Sequence, residues 1–293
     1  KNDLKNILFL SDYEIIKHYN KIILPLKIPI ISNFLNNIIA NLPFFRIFCL
    51  ISFACIKLNH NQDISNLITS IIVPAKNEKG NIENLIQRVK SFQYKFELIF
   101  VEGNSRDQTL EEMKRVQKIN NNMDIKVIVQ SGKGKGNAVR EGFDISKGDI
   151  LMILDSDLSV SPEELNKFYR AIVKNKGGLI NGSRFVYPKE KEAMRFLNMI
   201  GNIIFSKILS FAIDQKITDS LCGTKVLKKT DYLKIKQNRN FFGDFDPFGD
   251  FDLIFGSAKI GLKILDLPVR YQNRKYGKTQ ISRFTHGWLL IKM

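Results

Sequence analysis

Two aspartates one residue apart close a run of five apolar residues, Ile150-Leu151-Met152-Ile153-Leu154-Asp155-Ser156-Asp157. Carboxylates this close repel each other unless a cation stands between or beside them. Their hard oxygen donors suit Mg²⁺ or Mn²⁺, ions that commonly accompany diphosphates. A bare Asp-x-Asp is also a frequent solvated turn, so its chemistry depends on its company. Gly132-Lys133-Gly134-Lys135-Gly136-Asn137-Ala138 is a second candidate. Glycines let backbone amides approach an anion, and Lys133 and Lys135 either add positive charge there or are plain solvated charges. The third glycine comes one residue too early for the dinucleotide fingerprint Gly-x-Gly-x-x-Gly.

Acids at the end of an apolar strand need a scaffold that opens there. A strand buried on both faces belongs in a parallel sheet, and such sheets keep their ligands in the crevice at the carboxyl ends of the strands. From Leu67 onward, strand and helix signals alternate. Strands are expected at 68–73, 96–101, 125–129 and 150–154, with helices at 81–92, 107–119 and 137–145 between them. The alternation predicts an α/β fold with right-handed crossovers and a mainly parallel sheet. The polar strand ends, among them Pro74 to Glu78, Glu102 and Asp155, then share one crevice.

Residues 1–60 read differently, as a small α+β appendage. Short strands are expected at 13–17 and 21–25, with Pro25 and Pro29 as breakers. Ile30, Ile31, Phe34, Leu35, Ile38, Ile39 and Leu42 recur with helical period, and 47–58 reads as an apolar strand. Nothing in this segment points to chemistry, and Asn59 to Asn66 reads as a linker.

The chain has 293 residues, 44% of them hydrophobic, enough for one large domain with an appendage. Its 45 Lys and Arg against 29 Asp and Glu give a net charge of +16, a field that attracts phosphates, nucleic acid or an anionic membrane. Cys49, Cys55 and Cys222 lack metal-ligand spacing and fit a reducing compartment. His18, His60 and His286 are scattered and give little support to a histidine-based site. No signal peptide is visible, and a sequence starting at Lys1 is expected to be a piece of something longer. No apolar run reaches the ~20 residues of a bilayer span. The nearest, 196–213, carries Asn198, Asn202, Ser206 and Ser210 as a narrow polar stripe at spacing four. Such a helix is buried against the domain or lies at a membrane surface.

Several motifs, in order, resemble those of the family 2 glycosyltransferases, in their polyprenyl-phosphate (dolichol-phosphate mannose synthase-like) branch. They are Val73-Pro74-Ala75-Lys76-Asn77-Glu78, Val101-Glu102-Gly103-Asn104-Ser105-Arg106-Asp107, the glycine-rich loop, Asp155-Ser156-Asp157, Asn181-Gly182-Ser183-Arg184, Asp219 to Lys225, and Arg274 to Ser282. The resemblance runs from about Ser70 to Trp288. It implies a nucleotide-diphospho-sugar transferase (GT-A) fold of Rossmann-like α/β type over 67–293.

The same resemblance implies that Pro74, Ala75, Asn77 and Glu78 hold the nucleoside, with Glu102, Asn104 and Ser105 beside the base. Lys135, Gly136 and Asn137 complete the nucleotide-sugar pocket together with Asp155 and Ser156. Asp157 would bind the metal, and Asp155 the ribose or the metal's water. Ser159 stands where relatives often carry a glutamine ligand, and Gln280 replaces a lysine. Arg184 and Arg274 would face phosphate. In the acidic run Asp244, Asp246, Asp250 and Asp252, the choice is between a solvated loop and a general base toward an acceptor hydroxyl, Asp250 slightly ahead of Asp252.

The activity implied is inverting transfer of a hexose-type sugar, with Mg²⁺ or Mn²⁺, from a nucleoside-diphosphate sugar to a polyprenyl phosphate or a glycan hydroxyl. A cytoplasmic location, with peripheral contact on an anionic membrane and no nucleic-acid partner, goes with it. Alternatives are a nucleotidyltransferase making an activated sugar, and a non-enzymatic anion- or nucleic-acid-binding module. Residues 1–60 resemble the tail of a class I methyltransferase domain.

Overall fold

A computed structural model of the chain describes residues 13–42, 44–58, 67–187, 196–239, 249–274 and 276–277. The expected linker, Asp244, Asp246, the segment 278–282 and Trp288 lie outside the described residues. The chain divides into two compact units, Lys1–Asn61 with Ser210–Gln215, and Gln62–Leu209 with Lys216–Met293.

The first unit holds an antiparallel pair, β1 (Tyr13–Lys21) and β2 (Ile51–Leu58), with one register irregularity between Ile15 and Lys17. Between them lies the short helix α1 (Ile31–Asn37). The strand expected at 21–25 does not form. Ile22 turns the chain with φ 65°, and the amides of Ile23 and Leu24 donate to Asn36 Oδ1 at 2.9 and 3.0 Å instead of to a ladder. The strand expected at 47–58 is shorter, because Phe45–Phe48 forms a 3₁₀ turn.

The second unit is an α/β sheet. β3 (Thr69–Ala75), α2 (Lys79–Val89), β4 (Phe96–Glu102), α3 (Thr109–Ile119), β5 (Ile125–Val129), α4 (Gly134–Ile145) and β6 (Ile150–Ile153) follow in strict alternation. Helix α5 (Leu165–Val173), β7 (Leu179–Ser183), α6 (Phe196–Ile213) as far as Leu209, β8 (Lys225–Lys228), α7 (Lys229–Gln237), α8 (Asp250–Lys259) and β9 (Ile264–Pro268) complete it. The seven strands are ordered β5-β4-β3-β6-β8-β7-β9. All pairs are parallel except the two made by β8, which runs against β6 and β7.

Apolar side chains fill both faces of the central strands. Ile71, Val73, Leu98, Phe100, Ile150 and Met152 are all fully buried, with the helix residues Ile82, Leu85, Ile86 and Phe168 packed into the same core. The chain winds outward from β3 through β4 to β5, then returns to place β6 on β3's other side. That reversal opens a crevice at the carboxyl ends of β3 and β6. Pro74 to Glu78 and Asp155 to Asp157 flank it.

Candidate active site

Strand β6 stops at Ile153, and Ser156 fixes the turn that follows by donating to the Pro74 carbonyl at 3.0 Å. The turn after β6 is thereby fastened to the end of β3. Asp157 Oδ1 accepts from the Ser159 amide at 3.0 Å, so Ser159 supports the turn from behind. Across the crevice, Asn77 sits at φ 55° and its amide donates to Ser105 Oγ at 2.9 Å, while its Oδ1 accepts from the Arg106 amide at 2.8 Å. The loops after β3 and β4 are thus joined. Glu102 is buried and accepts from the Ser105 amide at 2.6 Å, and Asn104, at φ 57°, reaches the Gln130 carbonyl at 3.4 Å.

The glycine-rich segment runs into the helix, Gly132 and Lys133 preceding α4 and Gly134 to Ala138 forming its first turn. Asn137 Oδ1 accepts from Gln130 Nε2 at 2.8 Å and from the Gly132 amide at 3.2 Å, which curls the entry to the helix. Gly249 packs on that turn: at φ +73°, its added Cβ would come within 2.6 Å of Gly136 Cα. Glycine is required at 249 on both counts.

Charge organises the rest. Lys135 Nζ lies 2.5 Å from Asp155 Oδ1. Burial pushes the Asp155 carboxyl up, but Lys135, then Lys225 and Arg184, outweigh it and hold it below the usual carboxylate range. Gly223 leaves the room for this pair, since a Cβ there would overlap both Asp155 and Lys135. Arg274 Nη2 lies 2.6 Å from Asp157 Oδ2, and its Nη1 lies 3.6 Å from Glu78 Oε1. Burial raises the Glu78 carboxyl to about 7, against the opposing pull of Asn81 and Arg274. Arg184 is clamped on Asp219, donating from Nε to Oδ2 at 2.7 Å and from Nη2 to Oδ1 at 2.8 Å. Its guanidinium lies 5.1 Å from the centre of the Tyr271 ring.

Each acid of the Asp155-Ser156-Asp157 turn meets its own protein cation, Asp155 Lys135 and Asp157 Arg274. Ser156 between them is turned inward to Pro74, which fixes the turn in that form. Among the described residues no group of three or more His, Cys, Asp and Glu converges as a metal cage. One carboxylate still suits a small divalent cation, which takes one or two acids and draws its other oxygens from water and phosphates. Asp157, partly exposed and held by a single long side chain, fits that donor set.

Asp250 and Asp252 sit in the first turn of α8 as buried ion pairs. Lys225 Nζ is 2.6 Å from Asp250 Oδ1, while Arg140 Nη1 and Arg239 Nε lie 3.2 and 3.3 Å from Asp252 Oδ2. A small cavity of about 50 Å³ reaches Asp252 together with Gly136, Arg140, Tyr232 and Arg239. Lys225, Tyr271 and the clamping role of Asp219 escaped the sequence reading, because each acts on a residue distant in the chain.

The family model for glycosyl transferase family 2 matches residues 70–235, more than half of the chain. A dolichol-phosphate mannosyltransferase of Pyrococcus furiosus is 31% identical over 242 residues, covering 76% of this chain and 63% of that protein. An undecaprenyl-phosphate 4-deoxy-4-formamido-L-arabinose transferase of Pseudomonas fluorescens is 27% identical over 73% of this chain and 60% of its own length. The chain therefore spans less than two thirds of either relative.

Among solved structures, glucosyl-3-phosphoglycerate synthase from Mycobacterium tuberculosis, in complex with Mn²⁺, UDP and phosphoglyceric acid, superimposes with a TM-score of 0.55 at 17% identity, over 77% of this chain and 75% of that one. A mannosyltransferase from Pyrobaculum calidifontis, in complex with GDP-Man and Mn²⁺, gives 0.50 at 16%, over 72% and 57%. These likenesses show a shared GT-A fold. With the family's motifs lying in order around one crevice, and its model covering most of the sheet that builds it, the chain belongs to glycosyl transferase family 2.

Proposed function

We propose that this chain transfers a sugar from a nucleoside-diphosphate sugar to a polyprenyl phosphate, with inversion at the anomeric carbon. The observation that carries the reading is the switch-point crevice itself. There the Asp155-Ser156-Asp157 turn, stitched to Pro74, pairs with Lys135 and Arg274, and Arg184 adds its field at Asp155. In this reading, Pro74, Ala75, Asn77, Glu78, Glu102, Asn104 and Ser105 hold the nucleoside. Gly136 and Asn137 shape the α4 turn toward the phosphates.

Asp157 would hold Mg²⁺ or Mn²⁺, which offsets the charge of the diphosphate when bound. Arg184 and Arg274 take up charge as the nucleoside diphosphate departs, since preorganised cations stabilise what develops in the transition state. An acceptor phosphate is already anionic and needs no base. That favours a lipid phosphate over a glycan hydroxyl, because Asp250 and Asp252 are committed to Lys225, Arg140 and Arg239.

Several features support peripheral membrane contact. Ile200, Ile203, Ile204 and Ile208 are exposed on α6, and the chain carries +16. No helix among the described residues is long and apolar enough to cross a membrane. The names of the relatives, which act on dolichol and undecaprenyl phosphates, point to the same acceptor class.

Thermal stabilisation by UDP, GDP or dTDP with and without Mn²⁺, followed by transfer to a polyprenyl phosphate in vesicles, tests the reading. Metal-dependent stabilisation by one nucleoside diphosphate and a lipid-linked product are expected. Absence of stabilisation by every one of them overturns it.

A further inference from the structure

The polar stripe of α6 has no evident purpose in sequence. In the structure it runs to the loop that clamps Arg184. Asn202, buried, donates from Nδ2 to Asp219 Oδ1 at 2.6 Å, the same oxygen that accepts from Arg184 Nη2. Asn202 Oδ1 accepts from the Ser220 amide at 3.0 Å and from Ser220 Oγ at 2.8 Å. One helical turn on, Ser206 Oγ donates to Asn202 Oδ1 at 3.2 Å and accepts from the Ser220 amide at 3.0 Å.

Asp219 is fully buried and carries a full set of donors: Arg184 Nε, Nη2 and amide, the Leu221 amide, and Asn202. Burial would raise its carboxyl, but Arg184 and then Asn202 hold it below the usual range. Two contacts to Asp219 take up one edge of the guanidinium, and its face lies by Tyr271. A guanidinium has five N–H donors in a rigid fork, so whatever fixes that edge also fixes where the remaining donors point.

We infer that Asn202 is a positioning residue for phosphate recognition: through Asp219 it sets the orientation of Arg184. The amide does two separable jobs, donating to Asp219 and accepting from Ser220. Helix α6 is thereby joined to the phosphate-facing arginine by an unbroken chain of hydrogen bonds. The inference rests on the proposed function in assigning Arg184 to the diphosphate.

Asn202→Asp separates the two jobs. It keeps the shape and the oxygen that Ser220 uses, but removes the donor and sets a second carboxylate against Asp219. Ser206→Ala removes the Ser206 hydrogen bonds to Asn202 and the Ser220 amide without touching Asp219, and controls for loss of packing. Calorimetric titration with the nucleoside diphosphate selected above, with Mn²⁺, and with the corresponding nucleoside is the measurement.

Asn202→Asp is expected to weaken the diphosphate roughly tenfold, matching the low end of the loss known for groups that orient metal ligands. Nucleoside binding should be unchanged. Ser206→Ala should bind both ligands as the parent does. In ¹⁵N-arginine-labelled protein, the Nε–H resonance assigned to Arg184 should move in Asn202→Asp and stay in place in Ser206→Ala.

Diphosphate affinity equal to the parent's in Asn202→Asp, or equal losses for nucleoside and diphosphate, overturns the inference. So does a stationary Arg184 resonance. A parent protein that binds no nucleoside diphosphate sinks the proposed function instead, while the resonance still decides whether Asn202 orients Arg184.

Discussion

Two of the chain's Asp-x-Asp patterns stand in structurally different settings, Asp155-Ser156-Asp157 in a turn after a strand and Asp250-Phe251-Asp252 opening a helix. Both pairs of acids meet basic side chains, yet the pairs differ in wetness. The Lys135–Asp155 side chains are 27% and 24% exposed, whereas Lys225 and Asp250 are 0% and 6% exposed. A partly exposed ion pair leaves less behind to desolvate when one member is lost than a fully buried one does. A buried pair is different, because losing one member strands the other in a medium that cannot solvate it. The proposed chemistry thus falls on the more exposed motif, while the second ties α8 to β8 and α4.

The sharpest way to break that comparison is to strand a buried acid. Lys225→Ala should destabilise the protein by about 3–5 kcal/mol, the usual cost of an uncompensated buried charge. Pairing Lys225→Met with Asp250→Leu should recover most of the loss, since an apolar pair of similar volume avoids the desolvation penalty. Denaturant unfolding of the two variants measures both effects. A Lys225→Ala midpoint matching the parent's would show that Asp250 is solvated after all, and the general base would return to consideration.

Glu78 gives a second, pH-dependent test on the crevice side. Its carboxyl is raised from 4.5 to about 7, burial being the main cause. The folded protein then keeps a proton that the unfolded chain gives up as pH rises through this window. Its contribution is fully present below pH 4.5, is lost as pH climbs to about 7, and stays lost above. The full swing is about 3 kcal/mol at most. Glu78→Gln should flatten the slope and be the more stable form at pH 8. Parallel pH–stability curves for parent and variant would place Glu78 in solvent.

Asp157→Asn probes the crevice in function rather than stability. The fold should lose less than about 1 kcal/mol, as for other partly exposed pairs. Sugar transfer should fall about a hundredfold, the scale on which single preorganised electrostatic groups act. Metal-dependent stabilisation by the nucleoside diphosphate should vanish. Retained transfer in this variant would remove Asp157 from the proposed chemistry.

What could be read ahead of the coordinates follows the range of the forces involved. Period and alternation are local, so the strands of the parallel half and the turns at their ends were legible. Short-range competition was not: Ile23 and Leu24 look like strand residues, but Asn36 takes their amides. Neither was β8, a four-residue strand antiparallel to both neighbours. The pairing of Lys225 with Asp250 joins residues 25 apart and that of Arg274 with Asp157 residues 117 apart, and no spacing rule announces such contacts. Asn202 shows the intermediate case, since the stripe of period four was visible but its target, Asp219, was not.

The smallest expected effect concerns Arg274. Its guanidinium occupies Asp157 at 2.6 Å, on the carboxylate proposed for the metal. If the pair is exchangeable, Arg274→Ala should cost less than about 1 kcal/mol of stability. It should also bind Mn²⁺ alone somewhat more tightly, because the ion no longer competes with a guanidinium for the carboxylate. The nucleoside diphosphate should bind more weakly, having lost a cation suited to two phosphate oxygens. Opposite signs for metal and diphosphate are the signature of a cation that gives way to one ligand and then grips the other. Titration of Mn²⁺ followed by its paramagnetic signal, then of diphosphate at saturating Mn²⁺, separates the two. Weaker binding of both would mean that Arg274 shapes the turn around Asp157 instead of competing for it, and the crevice pairs would then be as structural as those beneath α8.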